Sequence, residues 1–250
     1  LYPRVLMTMP FPRAIDLHKR GRPLVPNCYG IFYSLISVCY LYVLSFLGIM
    51  EREALALASS VLFGSTMGLI DDMVDLRWRY KAILPIFTSL PYMVLKPSDR
   101  TAISLILLGV IDLGSLFFIL LVPIFVTVVT NSYNQLGGLN GVETLPGLAI
   151  LTGLTIASEN ATLTIVPIIC LIILGYLSFT GKAFIGNVGT FSIGLTLAVY
   201  SILMNLKLFL LLSLIPHIVN SVIILSSNYI LKERADTLMD ESGRLSLIHI

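Results

Sequence analysis

The sequence predicts an all-α protein: a polytopic bundle of transmembrane helices that forms one integral-membrane domain over residues 1–250. Its mean hydropathy is +0.93, and 56% of its residues are hydrophobic. Only 12% are charged, whereas soluble domains carry roughly 25% charged residues. The apolar runs are continuous and do not alternate with polar residues, which excludes membrane-spanning β-strands.

Eight apolar segments are candidate spans, because a helix of about 20 residues crosses the hydrocarbon core of a bilayer. They cover residues 29–50, 53–70, 82–95, 113–131, 144–157, 163–180, 188–204 and 207–230. The third and fifth are short and contain prolines, and Pro216 predicts a kink in the eighth. Residues 102–111 are apolar but too short to cross, so we expect a re-entrant or interfacial segment there.

The distribution of Lys and Arg orients the predicted spans. If residue 1 lies on the cytoplasmic side, the inner segments hold 12 of the 16 Lys and Arg residues, and the outer loops hold the rest. Cytoplasmic loops of membrane proteins are enriched in these residues, so we expect both ends of the chain in the cytoplasm. The net charge of +2 gives no indication of a nucleic-acid partner. The cysteines and histidines are too far apart to suggest a disulfide framework or a metal site.

Five strongly polar segments fall on this inner face. They cover residues 16–23, 71–81, 131–143, 181–189 and 231–245. The outer loops are short and carry few unusual polar residues. Because loops that face one compartment can meet, we expect these five segments to form a single site.

The segment 71–81 begins with the acid pair Asp71 and Asp72, directly after a predicted span. A helix C-terminus disfavours negative charge by roughly 0.3–1 kcal/mol, and adjacent carboxylates repel each other. Such a pair persists most easily when a cation or a bound substrate offsets this cost. The alternative is a solvated loop in which Asp75 and Arg79 form an ordinary i,i+4 pair.

Amides and glycines dominate the next two inner segments. Asn134, Asn140 and Gly141 follow one predicted span, and Gly186 and Asn187 precede another. Amide oxygens suit hard cations, glycine lets a backbone approach a phosphate, and a helix N-terminus favours anions. The alternatives are a flexible turn in the first case and close helix packing through small residues in the second.

The last inner segment places Lys232 and Arg234 among acidic residues. Taken alone, it is most simply a solvated surface segment, although arginine forks also suit a pyrophosphate. Paired acids, amide-rich loops and bases on one membrane face together favour metal-assisted phosphoryl transfer with a lipid substrate.

The stretches "IDDMVDLRWRYKAILP", "NSYNQLGGLNGVE" and "FIGNVGTFSIG" resemble, in this order, the motifs of the polyprenyl-phosphate N-acetylhexosamine-1-phosphate transferases. The RWRYK form and the upstream "DLHK" are most similar to the dolichyl-phosphate N-acetylglucosamine-phosphotransferase branch. The resemblance covers about residues 14–245. It implies transfer of a sugar 1-phosphate, most simply GlcNAc-1-phosphate, from a UDP-sugar such as UDP-GlcNAc to dolichyl or polyprenyl phosphate, with release of UMP.

The resemblance also implies Mg²⁺ as the cofactor, with Mn²⁺ as a substitute, and a homodimer whose active face is cytoplasmic. The membrane would be that of the endoplasmic reticulum in a eukaryote or the cell membrane in an archaeon. By resemblance, the catalytic residues are Asp71, Asp72 and Lys81, and the metal ligands are Asp72, Asn134 and Asn187. Asp71 and Lys81 would contact the lipid phosphate. The residues expected to bind the UDP-sugar are Lys19, Asn140, Gly141, Lys232 and Arg234.

Three features depart from the family pattern. Asn187 stands where relatives usually carry a metal-binding aspartate, and Glu233 replaces the histidine of a basic element. The family has ten spans, against the eight predicted here. Two alternatives stay open: an undecaprenyl-phosphate sugar-1-phosphate transferase, and a catalytically impaired homologue or a transporter. A transporter should show internal repeats and ionisable residues at mid-membrane, and the charges here lie at span ends.

Overall fold

The structure, a computed structural model, describes residues 12–16, 23–98, 100–105, 109–137, 140–227, 235–239 and 245–249. The described part is mostly helical. Its principal helices are α1 (Gly30–Phe46), α2 (Glu51–Val74), α6 (Val122–Gln135), α7 (Leu145–Ser158), α8 (Ile165–Phe179) and α9 (Gly186–Leu203). Shorter helices are α3 (Trp78–Ile83), α4 (Pro85–Thr88), α5 (Leu90–Leu95), α10 (Lys207–Ser213) and α11 (Ile215–Ser226). A π-helical turn, Phe117–Leu121, leads into α6.

Helix α9 is the centre of the bundle, since every residue from Val188 to Leu203 is buried. It packs against α2, α6 and α1. Small residues permit these close approaches: a Cβ on Gly30 would lie 2.1 Å from the Cα of Gly189. Polar bonds add to the packing, because Tyr33 donates to Thr196 at 2.8 Å within the same interface. Close helix packing through small residues, the alternative for the segment 181–189, therefore holds at Gly189.

Three two-stranded antiparallel sheets accompany the helices in the described part of the chain, so the predicted all-α class is correct only in its main part. The strands are β1 (Arg13–Ile15), β2 (Leu24–Pro26), β3 (Ala102–Leu105), β4 (Gly109–Asp112), β5 (Ala235–Met239) and β6 (Leu245–His249). In the segment 102–111, expected as a re-entrant or interfacial segment, the described residues belong to β3 and β4, which pair in antiparallel register. A hairpin satisfies most of its backbone groups in ten residues, which are too few for a helix that crosses a bilayer.

Several predicted spans coincide with helices, but the count of eight is not confirmed. Within the described residues, Glu51–Val74, Phe117–Gln135 and Gly186–Leu203 are long and apolar enough to cross a membrane. The pair Lys207–Ser213 and Ile215–Ser226 would form a fourth span with a bend of 62°, close to the kink predicted at Pro216. Helices α1, α7 and α8 are apolar but shorter than 18 residues.

The predicted third span, residues 82–95, is divided among the end of α3, α4 and α5. Proline occupies the first turn of α4 and of α5. A proline lacks the backbone N–H that a continuous helix needs, and it is readily accommodated where a helix begins. Pro85 and Pro91 thus account for the breaks, as the sequence analysis anticipated.

Candidate functional site

The carboxylate of Asp72 caps the N-terminus of α9 from the end of a different helix. Its Oδ1 accepts a hydrogen bond from the backbone N–H of Asn187 at 2.9 Å. Its Oδ2 accepts one from the N–H of Val188, also at 2.9 Å. The first N–H groups of a helix have no partner inside it, and the helix dipole favours a negative charge there. The anion predicted at this N-terminus is therefore, in this structure, the side chain of Asp72.

Two glycines make this contact between α2 and α9 possible. A Cβ on Gly68 would lie 2.4 Å from the carbonyl oxygen of Asn187, so the two backbones approach too closely for any side chain. Gly186 has φ +68°, and a Cβ there would lie 2.6 Å from the Oδ2 of Asp72. The left-handed conformation of Gly186 is accessible to glycine at little cost. The glycines around Asn187 thus serve the approach of Asp72.

Asp71 faces a different partner. Its buried carboxylate pairs with the ammonium group of Lys81 at 2.9 Å, and its Oδ1 accepts from the N–H of Leu76 at 2.9 Å. Lys81 also pairs with Asp75 at 3.3 Å. Burial lowers the pKa of Lys81, but the hydrogen bond and charge of Asp71 and Asp75 outweigh it, so the pKa is raised. Lys81, which lies on α3, is therefore a permanent cation beside the end of α2.

The alternative for this segment, a pair between Asp75 and Arg79, is not what the structure has, since Asp75 pairs with Lys81. An i,i+4 pair requires a continuous helix. Here α2 ends at Val74, and Asp75 adopts the left-handed conformation with φ 50°. The reversal of the chain brings Lys81 back toward Asp71. The cost of two adjacent carboxylates, for which a cation or a bound substrate was expected to compensate, is offset within the protein by Lys81 and by the N-terminus of α9.

Asn134 and Asn187 are joined through Thr190. The hydroxyl of Thr190 donates to the Oδ1 of Asn134, at the end of α6. The same hydroxyl lies 3.2 Å from the carbonyl oxygen of Asn187, one turn earlier in α9. The end of α6 and the first turn of α9, which carry these two asparagines, thus meet beside the acid pair.

The loop after α6 is held by backbone and hydroxyl contacts. Gly141 has φ +84°, and its N–H donates to the hydroxyl of Ser178 at 3.2 Å. Tyr133 donates to the carbonyl oxygen of Glu143 at 2.8 Å. The loop that carries Asn140 and Gly141 is therefore fixed against α6 and α8. The flexible-turn alternative is thus disfavoured for residues 141–144, whose backbone is held at both ends.

The N-terminal hairpin borders the same site. The carbonyl oxygen of Pro26, the last residue of β2, accepts from the N–H of Phe184 at 2.9 Å. The thiol of Cys28 is hydrogen-bonded to Asp72, and burial together with that carboxylate raises the pKa of Cys28 to about 12. Three of the five predicted polar segments, 71–81, 131–143 and 181–189, therefore meet, at least in part, at one end of the bundle, and the strand that follows the segment 16–23 borders them. Lys19, Lys232 and Arg234 lie outside the described residues.

A cavity of about 280 Å³ opens beside the site, between α6 and α11. Its polar lining includes Asn131, Gln135 and Ser221, and its apolar lining includes Ile218 and Val222. Within the described residues, the buried hydroxyl of Ser221 and the Oε1 of Gln135 have no hydrogen-bond partner. Ala82, the residue after Lys81, also lines this cavity. An amphipathic ligand could therefore place its apolar part along α11 and its polar part near Lys81.

Three contacts at the site were absent from the sequence analysis. Thr190 lies one helical turn after Asn187, so i,i+3 spacing could have identified it. Ser178 and Cys28 had no comparable signal, because their roles arise from contacts with residues 37 and 44 positions away. Such contacts depend on tertiary packing alone.

The site offers oxygen atoms for a cation, although its donor set is not a carboxylate cluster. Among the described residues, no group of three or more His, Cys, Asp or Glu could hold a metal ion. The Oδ2 of Asp71 is buried without a hydrogen-bond partner in the described part of the chain. Both oxygens of Asp72 accept backbone bonds, but a carboxylate oxygen retains a second lone pair. Carboxylate and amide oxygens are the ligands that suit Mg²⁺, so the donor chemistry fits this ion.

The chain matches the profile of one protein family and is similar in sequence to several named enzymes. The profile of glycosyl transferase family 4 matches residues 54–205. A putative UDP-N-acetylglucosamine–dolichyl-phosphate N-acetylglucosaminephosphotransferase of Saccharolobus solfataricus is 29% identical over 253 residues, 94% of this chain and 77% of the relative. The corresponding Dictyostelium discoideum enzyme is 30% identical over 259 residues, 82% of this chain and 63% of the relative. A phospho-N-acetylmuramoyl-pentapeptide-transferase of Clostridium perfringens is 27% identical over 223 residues, 82% of this chain and 68% of the relative.

Proposed function

Since the chain belongs to glycosyl transferase family 4, we propose that it transfers GlcNAc-1-phosphate from UDP-GlcNAc to dolichyl phosphate and releases UMP. The relatives from Saccharolobus solfataricus and Dictyostelium discoideum are named for this transfer. The observation that carries the proposal is the convergence of Asp71, Asp72, Lys81, Asn134 and Asn187 at one end of the helical bundle. These groups suit a reaction between two phosphorylated substrates.

In the proposed reaction, an oxygen of the lipid phosphate attacks the β-phosphorus of the UDP-sugar. A new P–O bond forms there, and the bond from that phosphorus to the bridging oxygen breaks, so that UMP leaves. No covalent enzyme intermediate is needed, because holding both substrates in line supplies much of the rate enhancement. The sugar keeps its phosphate and becomes linked to the lipid through a pyrophosphate.

Lys81 has the central role among the described residues. Asp71 and Asp75 hold its ammonium group in place, and it remains positively charged at neutral pH. Because Ala82 lines the cavity between α6 and α11, a lipid phosphate in that cavity lies close to the segment that carries Lys81. A fixed positive charge stabilises the negative charge that spreads over the phosphoryl oxygens as the bonds change.

Asp72 and Asp71 act differently in this proposal. Asp72 is a positioning residue, since its carboxylate ties the end of α2 to Asn187 and Val188 at the start of α9. Asp71 orients Lys81 through one oxygen, while the other is free of hydrogen bonds among the described residues. Asn134, Asn187 and the second lone pairs of the Asp72 carboxylate would hold Mg²⁺. When bound, the ion would neutralise charge on the phosphate oxygens.

We further propose that the site faces the cytoplasm and that the chain crosses the membrane with the eight spans predicted from sequence. The excess of Lys and Arg in the inner segments supports this orientation. Helices α1, α7 and α8 are apolar over 14 to 17 residues. Such lengths can be accommodated by local thinning of the bilayer or by flanking residues.

The proposal is tested by measuring UMP release from purified protein supplied with UDP-GlcNAc and dolichyl phosphate in the presence of Mg²⁺. We expect release that requires the lipid phosphate and the metal. UDP-GalNAc serves as the matched control for the sugar, and undecaprenyl phosphate for the acceptor. If no UDP-N-acetylhexosamine gives UMP under these conditions, the proposal fails. Preference for undecaprenyl phosphate would instead favour an activity like that named for the Clostridium perfringens relative.

A further inference from the structure

Buried polar atoms without hydrogen-bond partners are concentrated on two helices in the described part of the chain. Of eleven such side-chain atoms, five belong to α6 or α11. They lie on Thr127, Thr130, Gln135, His217 and Ser221. A buried polar group without a partner costs free energy, so such groups usually find a partner in the protein, in water or in a ligand. The concentration on α6 and α11 therefore indicates a binding site for a ligand with polar atoms.

The cavity of about 280 Å³ between α6 and α11 has one polar and one largely apolar wall. Thr127, Asn131 and Gln135 line it from α6, and residues four apart lie on the same face of a helix. Eight helical steps of 1.5 Å make this polar stripe about 12 Å long. The wall on α11 is apolar at Ile218 and Val222. Such a lining suits an amphipathic ligand.

The end of this cavity at Gln135 adjoins the candidate site through two segments of the chain. Gln135 directly follows Asn134, and Ala82, which also lines the cavity, directly follows Lys81. Asn131 joins the two segments, since its Nδ2 donates to the carbonyl oxygen of Ala82 at 3.2 Å. The polar end of a ligand in the cavity therefore belongs at Gln135, next to the residues proposed to act in the transfer.

Gln135 and Ser221 are brought together across the two helices. The side chain of Asn220 donates to the carbonyl oxygen of Gln135 at 3.1 Å. The rings of Tyr133 and His217 stack with centroids 5.1 Å apart and planes 10° apart. These contacts fix α11 against the end of α6. A hydroxyl turns about one bond and an amide can present its NH₂ group after half a turn, so both side chains can donate to a ligand in the cavity.

Ser221 also differs from other serines of the bundle. Ser213 on α10 donates to the carbonyl oxygen of Phe209, four residues earlier, at 2.9 Å. Ser192 on α9 uses the carbonyl oxygen of Val188 in the same way, at 2.6 Å. This bond within a helix is common for serine. The hydroxyl of Ser221 is buried and has no such partner among the described residues, so it remains available to a ligand.

We propose that Ser221 and Gln135 hydrogen-bond the phosphate of the lipid acceptor, whose chain lies along α11 in this cavity. The inference rests on the proposed function, because it takes dolichyl phosphate as the acceptor. The described residues that line the cavity are uncharged, so these neutral donors recognise the phosphate oxygens, and Lys81 beside Ala82 supplies the positive charge. A phosphate group has three acceptor oxygens and can bind both donors at once, whereas the alcohol dolichol has one oxygen.

Binding is measured without UDP-GlcNAc, from the rise in the midpoint of thermal unfolding as dolichyl phosphate or dolichol is added to the protein in detergent. A hydrogen bond to a charged group changes affinity by about tenfold or more. We therefore expect Ser221→Ala to raise the apparent Kd for dolichyl phosphate about tenfold and to leave that for dolichol unchanged. Ser221→Thr, which keeps the hydroxyl, should retain the affinity. An unchanged Kd for dolichyl phosphate in Ser221→Ala, or an equal loss for both lipids, would overturn the proposal.

Variants of Gln135 test the second donor. Gln135→Leu removes the amide and should weaken binding of dolichyl phosphate by about tenfold. Gln135→Glu places a negative charge beside the phosphate and should weaken it further, since like charges repel. Ser213→Ala is the matched control, because its hydroxyl is bonded within α10 and lies outside the cavity lining. Undiminished affinity in Gln135→Glu would contradict the proposal.

The outcomes for this subsite and for the transfer reaction are separable. Where UMP release is observed, Ser221→Ala should raise the KM for dolichyl phosphate and leave the KM for UDP-GlcNAc unchanged. If UMP is released and neither the KM nor the Kd for dolichyl phosphate changes in Ser221→Ala, the subsite is refuted and the transfer stands. If dolichyl phosphate binds with the predicted dependence on Ser221 but no UMP is released, the transfer is refuted and the subsite stands.

Discussion

Replacement of Asp72 tests the link between α2 and α9 most directly. The carboxylate accepts two backbone hydrogen bonds, both at 2.9 Å, from Asn187 and Val188. Hydrogen bonds to a charged group contribute about 1.5–3 kcal/mol each, and loss of a helix cap costs roughly 0.5–2 kcal/mol. Because Asp72 is only partly buried, we expect Asp72→Ala to lower the free energy of unfolding by about 2–4 kcal/mol.

Asp72→Asn should have a smaller effect, of about 1.5–3 kcal/mol, because an amide has one acceptor oxygen and its NH₂ group would face a backbone N–H. A change of 1 kcal/mol shifts the midpoint of thermal unfolding by about 2–4 °C in a chain of this size. The Ala variant should therefore unfold roughly 5–15 °C below the unsubstituted protein in detergent.

Asp75→Asn is the matched control, since its side chain is 96% exposed and exposed ion pairs contribute little to stability. Its midpoint should stay within about 2 °C of the unsubstituted protein. A midpoint for Asp72→Ala within the same limits would show that the carboxylate does not hold the start of α9. UMP release measured on the same samples then separates a structural loss from a catalytic one.

Lys81→Met should reduce UMP release by at least about 100-fold. It should also lower thermal stability, because it leaves the buried carboxylate of Asp71 without its ion pair. Retention of more than a tenth of the activity would contradict the assigned role. The raised pKa of Lys81 means that the stabilisation by this pair is fully present below the pKa of an unpaired lysine, about 10.4, and is lost as the pH rises above it. Unfolding midpoints measured between pH 8 and pH 12 should therefore fall more steeply in the unsubstituted protein than in Lys81→Met, and parallel curves would refute this. Asn187→Asp should lower the Mg²⁺ concentration that gives half-maximal activity by several fold, since it adds a negative charge to the residues that would bind the ion. If that concentration is unchanged, the metal binds elsewhere. Cys28, which is buried and whose pKa is raised to about 12, should react with N-ethylmaleimide at pH 8 at least tenfold more slowly in the folded protein than after unfolding in guanidinium chloride, and equal labelling by mass spectrometry would show that the thiol is accessible.

The sequence predicts the convergence of the polar segments because topology alone constrains it. Charge placement puts residues 71–81, 131–143 and 181–189 on one side, and the structure joins them through Asp72, Asn187 and Thr190. The same reasoning treats Asp71 and Asp72 as one acidic pair. Adjacent residues on a helix point about 100° apart, so the two carboxylates meet different partners. Which partner each meets depends on the approach of α9 and on the reversal at Asp75, and neither is encoded locally.

The boundaries of helices and strands are likewise predicted only in part from the sequence. The prolines at positions 85 and 91 predict interruptions in residues 82–95, and the structure places helix starts there. The hairpin β3–β4 is not predicted, because its sequence lacks the alternation of apolar and polar residues that identifies a strand. Cavities are also beyond local sequence, since the lining of the cavity between α6 and α11 combines residues from 82 to 225.

The proposed transfer is tested most directly by following the β-phosphorus of the sugar donor. UDP-GlcNAc labelled with radioactive phosphorus at the β-position is incubated with the purified protein, dolichyl phosphate and Mg²⁺, and the lipid and aqueous phases are counted separately. The proposed reaction moves the label into the lipid phase and leaves unlabelled UMP in water, and Lys81→Met abolishes this movement. Label that stays in the aqueous phase as UDP, while the sugar enters the lipid, would show that the sugar moves without its phosphate and would contradict the proposed chemistry.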